Sequence, residues 1–173
     1  CSQSRGLGDV YKRQLHTCAI VDDGRVACWG DNIEGQLGDG TTTDRSTPTL
    51  TASLGTGRTA VQLATGDFFT CVLLDNDEVK CWGDNQYGQL GDGTTTDRTS
   101  PPSSGITFPT GRTPVALAAG DHQACAIMDD GSLTCWGNNH LGQIGDGTTT
   151  DRNSPTVVSV SYTHLRAHET GYN

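Results

Sequence analysis

Three segments of this chain are near-copies of one another, and that repetition limits the fold more than any other feature. They run from His16-Thr17-Cys18 to Pro48, from Phe69-Thr70-Cys71 to Pro101, and from Gln123-Ala124-Cys125 to Pro155. Trp29, Trp82 and Trp136 mark the period, lying 53 and 54 residues apart. A second block, GRTAVQLATGD at 57–67, recurs as GRTPVALAAGD at 111–121, and the first copy lacks it. A repeat of this length is one supersecondary unit that buries its apolar surface by stacking on its neighbours.

Each copy reads as β-structure. In the second, residues 60–64 form one expected strand, and 70–74 with 78–82 form a hairpin. In the first, the runs CAIV and VACW flank Asp22-Asp23-Gly24, a three-residue loop with Gly at the left-handed position, which suits a bulged hairpin. The second copy has Asp75-Asn76-Asp77 there, and Asp accepts positive φ less readily than Gly. The apolar runs do not alternate strictly, which predicts sheets buried on both faces. A further strand near Pro48, Pro101 and Pro155 is expected to bring each copy to four, at an edge, where proline is tolerated. An apolar content of 33% with 23 glycines agrees with short strands and many turns.

The string C-W-G-x-N-x-x-G-Q-[LI]-G-D-G, with His16-Thr17 and the glycines Gly66 and Gly120 ahead of the hairpins, resembles the regulator of chromosome condensation (RCC1) repeat. The resemblance covers residues 15–158 and includes the bacterial secreted propellers related to β-lactamase-inhibitor protein II. It implies an all-β fold, a partial β-propeller of about three four-stranded antiparallel blades. Three blades should leave the ring incomplete and both end faces open, so further blades of a longer parent chain are expected. The repeats divide at about 15–56, 57–110 and 111–158. Residues 1–14 and 159–173 match nothing in the repeats and resemble translated sequencing-adapter tails of metagenomic assemblies; artefactual or disordered tails are expected there. Without Arg5, Lys12, Arg13, Arg166, Asp9 and Glu169, 7 positive and 18 negative side chains remain, a net charge of −11. That balance disfavours nucleic acid and acidic membrane surfaces as partners, and no stretch has the length of apolar sequence needed for membrane insertion as a helix.

Cys18 and Cys28, Cys71 and Cys81, and Cys125 and Cys135 share a ten-residue spacing that sets each pair opposite across a hairpin. One disulfide per copy is expected, formed outside the cell, at its surface or in the periplasm; buried reduced thiols are the alternative. Zinc is disfavoured, since no short Cys-x-x-Cys hook is present. The TTTDR loops read as turn chemistry, with Arg45, Arg98 and Arg152 pairing to carboxylates between blades; calcium ligation is the competing reading. Catalysis finds little support, because His16 aligns with Phe69 and Gln123 and no nucleophile has a base at an informative spacing. No cofactor is expected. Within the constant loops the variable positions are Ile33-Glu34, Gln86-Tyr87 and His140-Leu141, the candidate binding residues, with Tyr87 as anchor. The expected role is a non-catalytic scaffold that binds another protein or a surface polymer. A carbohydrate-binding adhesive module is the alternative, and a guanine-nucleotide-exchange regulator is further off.

Overall fold

The computed structural model describes residues 15–109 and 111–158; the two tails expected at the ends lie outside them. The described residues form three antiparallel sheets and no helix. The first sheet is β1 (His16–Ile20), β2 (Val26–Gly30) and β3 (Arg45–Leu50). The second is β4 (Ala60–Thr65), β5 (Phe69–Leu74) and β6 (Val79–Gly83). The third has four strands in order: β7 (Pro114–Ala119), β8 (Gln123–Met128), β9 (Leu133–Gly137) and β10 (Arg152–Val157). Each sheet is one blade.

Among the described residues, only the third blade reaches four strands. Among the described residues the first has no counterpart of β4 and β7, the strands that the second sequence block forms in the other two copies. In the second, the strand expected near Pro101 is reduced to a single bridge between Gly83 and Arg98. Consecutive Pro101 and Pro102 remove two N–H donors where the ladder would continue, while Pro48 and Pro155 each stand alone within edge strands. The chain rejoins β6 at Ile106, whose N–H meets the Val79 carbonyl at 2.8 Å.

Burial follows the stacking order. All of β5 and β6 is buried, as two-faced packing demands. Strand β8 instead alternates between covered and open positions, because among the described residues nothing packs on its far face. Two apolar clusters fill the seams. Val26, Cys28 and Leu37 of the first blade meet Val72, Leu74 and Trp82 of the second. Phe69, Leu73, Val79 and Leu90 of the second meet Leu117, Ala126, Met128 and Trp136 of the third.

The hairpin turns are as their sequences imply, with one exception. Gly24 and Gly131 take φ of 77° and 80°, and Asp77 adopts φ 63° at the same place. The Asp77 N–H still closes the turn on the Leu74 carbonyl at 3.1 Å. Cys18 lies opposite Cys28, Cys71 opposite Cys81, and Cys125 opposite Cys135. Their Cα atoms are 4.1 Å apart and their sulfurs 2.07, 2.01 and 2.16 Å apart, at bonding distance. A loop this short stabilises the fold by under about 3 kcal/mol per bridge through the unfolded chain. Alkylating the folded, air-oxidised protein without reductant is expected to leave these six thiols unmodified by mass; six modified thiols would contradict the pairing.

Candidate functional site: the loop rim

Each β2-type strand runs into a loop built around a buried asparagine. The Asn32 side-chain oxygen accepts the Leu37 N–H at 2.9 Å, and its amide donates to the Thr41 and Thr43 carbonyls at 3.1 and 3.0 Å. Its own N–H reaches Asp44 at 2.8 Å. Asn85 repeats this set with Leu90, Thr94, Thr96 and Asp97, and Asn139 with Ile144, Thr148, Thr150 and Asp151. One short side chain thus satisfies the main chain of a whole loop, which explains why asparagine recurs here.

The Asp-Gly-Thr-Thr-Thr-Asp-Arg segment closes on itself. Asp39 accepts the Thr41 N–H and hydroxyl at 2.9 and 2.6 Å and the Arg45 Nε–H at 2.8 Å. Arg98 and Arg152 reach Asp92 and Asp146 in the same way, at 2.7 and 2.6 Å. The expectation that these arginines bridge between blades is therefore corrected: each pairs six residues back within its own loop, where the threonine already fixes the carboxylate. Burial pushes Asp39 and Asp92 up, but the threonine and arginine hydrogen bonds outweigh it and hold both below the ordinary carboxylate range. At Asp146 the Thr148 hydroxyl leads, with Arg152, and the pKa falls to about 2. On the calcium alternative, among the described residues no group of three or more His, Cys, Asp or Glu side chains gathers where a metal ion could sit.

This frame carries the variable tips. The Glu34 N–H donates to the Gln36 side chain, which donates to Asp31. Tyr87 is held likewise by Gln89 and Asp84, and Leu141 by Gln143 and Asn138. Because the tip's own N–H and a recurring glutamine make the first of these bonds, the tip side chains can differ without refolding the loop. Ile33, Gln86 and His140 are exposed, Glu34 and Tyr87 half-buried, and Leu141 is 92% exposed.

The two seams give the rim two chemistries. At the first, burial raises the Glu34 pKa, and Asp84, Asp97 and Asp31 push it further the same way. All seven Lys and Arg side chains of residues 15–158 pair with other carboxylates, none with these four. At the second seam, Tyr87 packs against His122 and His140 across the blade boundary, with ring centroids 5.4 and 5.5 Å apart. His140 Nε2 stands 3.1 Å from Asp151, but the pair is open to water, at 60% and 30% side-chain exposure.

The sequence did not mark Lys80, nor the seam contact of His16. Lys80 is buried and its ammonium donates to the Leu54 and Ser103 carbonyls at 2.9 and 3.2 Å. Its aligned positions, Ala27 and Thr134, are buried too, which is the signal that could have marked it. His16 is buried with Nε2 3.0 Å from the Thr70 hydroxyl of the next blade.

A stack of disulfide-spaced antiparallel blades joined by such loops defines a propeller-type repeat protein. The sequence matches the regulator of chromosome condensation (RCC1) repeat at residues 23–73 and 76–127, and a second description of the same repeat at 60–89 and 115–143. The chain belongs to this family. It is 33% identical over 154 residues to the human E3 ubiquitin-protein ligase HERC2, covering 89% of this chain and 3% of that protein. It is 32% identical over 145 residues to the Arabidopsis thaliana ultraviolet-B receptor UVR8, covering 83% and 32%. Human WBSCR16 superposes with a TM-score of 0.73 at 25% identity, over 85% of this chain and 38% of that one. Prp20p of Saccharomyces cerevisiae shares the fold, with a TM-score of 0.68 at 19% identity, over 86% and 37%. The chain thus spans less than two fifths of each.

Burial holds the His16 pKa down at about 4, against a weaker opposing pull from the Asp67 main chain. The unfolded chain therefore binds the proton first: this contribution is complete above pH 6.5 and is lost as pH falls from there towards 4. The loss amounts to about 3 kcal/mol at most. In urea unfolding, His16→Gln, the residue of the third copy, should flatten the stability change between pH 6.5 and 4.5. An unchanged slope would contradict it.

Proposed function

We propose that the chain is a non-catalytic scaffold whose loop rim binds a partner protein that presents a positively charged surface. The observation that carries this reading is the division of labour in the loops. A constant hydrogen-bonded frame holds tips whose side chains differ at every copy: Ile33-Glu34, Gln86-Tyr87 and His140-Leu141. Sites of recognition favour such rigidly held loops. The carboxylates around Glu34, which have no Lys or Arg partner among the described residues, favour basic groups, and Tyr87 between two imidazoles supplies an aromatic anchor for a flat or cationic side chain.

The relatives support a scaffold rather than a chemistry. Their names include a ubiquitin ligase, an ultraviolet-B receptor and a GTPase regulator, so the repeat is carried by proteins of different activities. In this reading the described blades are part of a longer propeller, and the protein is a secreted bacterial member of the family. The cysteine pairs favour an oxidising compartment: the extracellular space, the cell surface or the periplasm.

An arginine-rich peptide with a fluorescent label serves as the first probe, titrated at low and high salt. Binding should weaken with salt, and Tyr87→Ala should weaken it by about tenfold, the effect of losing one aromatic hot spot. Glu34→Gln should reduce the salt dependence. Binding that is indifferent to salt and to both substitutions would contradict a rim of this kind.

A further inference from the structure

The two prolines that end the ladder of the second blade leave a main-chain donor and acceptor behind. Across each hairpin the paired cysteines stand at a Cα separation of 4.1 Å, the close spacing of a pair that exchanges no hydrogen bonds. The N–H and C=O of Cys28, Cys81 and Cys135 therefore point the other way, to the edge of the sheet. In the first blade Thr49 stands opposite Cys28 there, and in the third Thr156 stands opposite Cys135. Pro102 holds the aligned position in the second blade, and proline has no N–H to give. Ile106, whose N–H rejoins the ladder at Val79, follows Pro101 by five residues, whereas Thr51 and Val158, which make the same bond in the other blades, follow their prolines by three.

The edge of β6 is thus held by its own chain at Gly83, which pairs with Arg98, and at Val79, with no residue opposite Cys81 between them. The Cys81 N–H and C=O meet no hydrogen-bonding partner among the described residues. Folded chains almost always pair such buried main-chain groups. Cys81 is 2% exposed and lines a cavity of about 260 Å³ between the second and third blades, together with Leu90, Gly91, Ser104, Ile106 and Ser154. Blades stack face to face, so this edge stays open whatever covers the faces. The chain also shows what satisfies both groups of one strand residue. The Gln62 side-chain amide accepts the Leu117 N–H at 2.9 Å and donates to the Leu117 carbonyl at 3.0 Å. The main chain of a peptide carries the same two functions.

We propose that this gap is a binding site for an extended partner peptide with a Ser/Thr-Pro-Thr centre, which supplies the missing residue of the ladder. Its threonine takes the place that Thr49 and Thr156 hold, donating its N–H to the Cys81 carbonyl and accepting the Cys81 N–H. Strand addition of this kind draws affinity from the main chain and selectivity from the side-chain pocket. A small β-branched side chain suits a cavity bordered by Gly91, Gly93 and Ser154, and the two threonines it would imitate are half-buried. Proline just before the threonine is accepted within the edge strands at Pro48 and Pro155. The cavity includes none of the rim tips, and its ligand carries no charge.

The probe is an acetylated and amidated peptide with the sequence of residues 153–158, NSPTVV, titrated into the full nitrogen-15-labelled chain. The Cys81 amide signal should shift and its exchange with water should slow, with a Kd of about 1 mM or below. The Cys28 and Cys135 amides, already paired within their sheets, should not move. The same peptide with proline in place of its threonine cannot donate to the Cys81 carbonyl and should bind about tenfold more weakly, the effect of one hydrogen bond. On the protein side, Pro102→Thr with Ser103 and Ser104 removed gives the segment the length and the donor of the third copy. That chain fills its own gap, so binding should be lost with an unchanged circular-dichroism spectrum. The pair of peptides tests the same bond on the unaltered chain, which keeps the test decisive if the variant fails to fold. Binding should be indifferent to salt, which separates this site from the rim. A Cys81 amide that does not respond, a folded variant that still binds, or two peptides that bind alike would overturn the proposal.

Discussion

A buried indole N–H must find an acceptor, because leaving it unpaired costs about 1–3 kcal/mol. Trp82 and Trp136 find theirs on the preceding blade, at the carbonyls of Gln36 and Gln89. Most of the constant sequence serves this contact. Gly38 and Gly91 must lack a Cβ, since one would stand 2.4 and 2.8 Å from the indole nitrogen. The glutamine carbonyl must point into the seam, so the loop that carries it is fixed by Asn32 or Asn85. The asparagine in turn needs the threonine carbonyls of a segment closed by its own aspartate and arginine. The string from Trp-Gly to Thr-Asp-Arg is therefore a chain of dependencies that ends at one hydrogen bond between blades.

That arrangement separates stability from recognition. The loop's main chain is held largely by the recurring asparagine, glutamine and aspartate, and two positions per copy are left free to differ. One seam has become acidic around Glu34, with Asp84 and Asp97 from the next blade adding to the like charge. The other has become aromatic around Tyr87. The same backbone thus offers different chemistry a blade apart, which suits a family whose members share a fold and differ in activity.

Much of this was legible in one chain because the copies comment on each other. The period set the blades, the apolar runs set the strands, and the ten-residue cysteine spacing set the hairpin register that places Cys71 opposite Cys81. What stayed hidden depends on tertiary placement or on a single copy. Pro101-Pro102 abolishes a strand that the other copies form, a local veto easily lost in an averaged repeat. The partner of Arg45 could not be chosen between its own loop and the next blade, because the loop's closure by Thr41 is a matter of three-dimensional geometry. Tyr87 was singled out as variable and aromatic, but its neighbours lie 35 and 53 residues further along the chain, and only the seam brings them together. Lys80 lies within an apolar run, and its two carbonyl partners come from linkers without any motif.

Solvent exchange of the three indole N–H groups, read by nitrogen-15 correlation spectra, tests the seam most directly. The Trp82 and Trp136 signals should be protected and the Trp29 signal should exchange rapidly. Three indole signals that exchange alike would contradict a stack held together by this hydrogen bond.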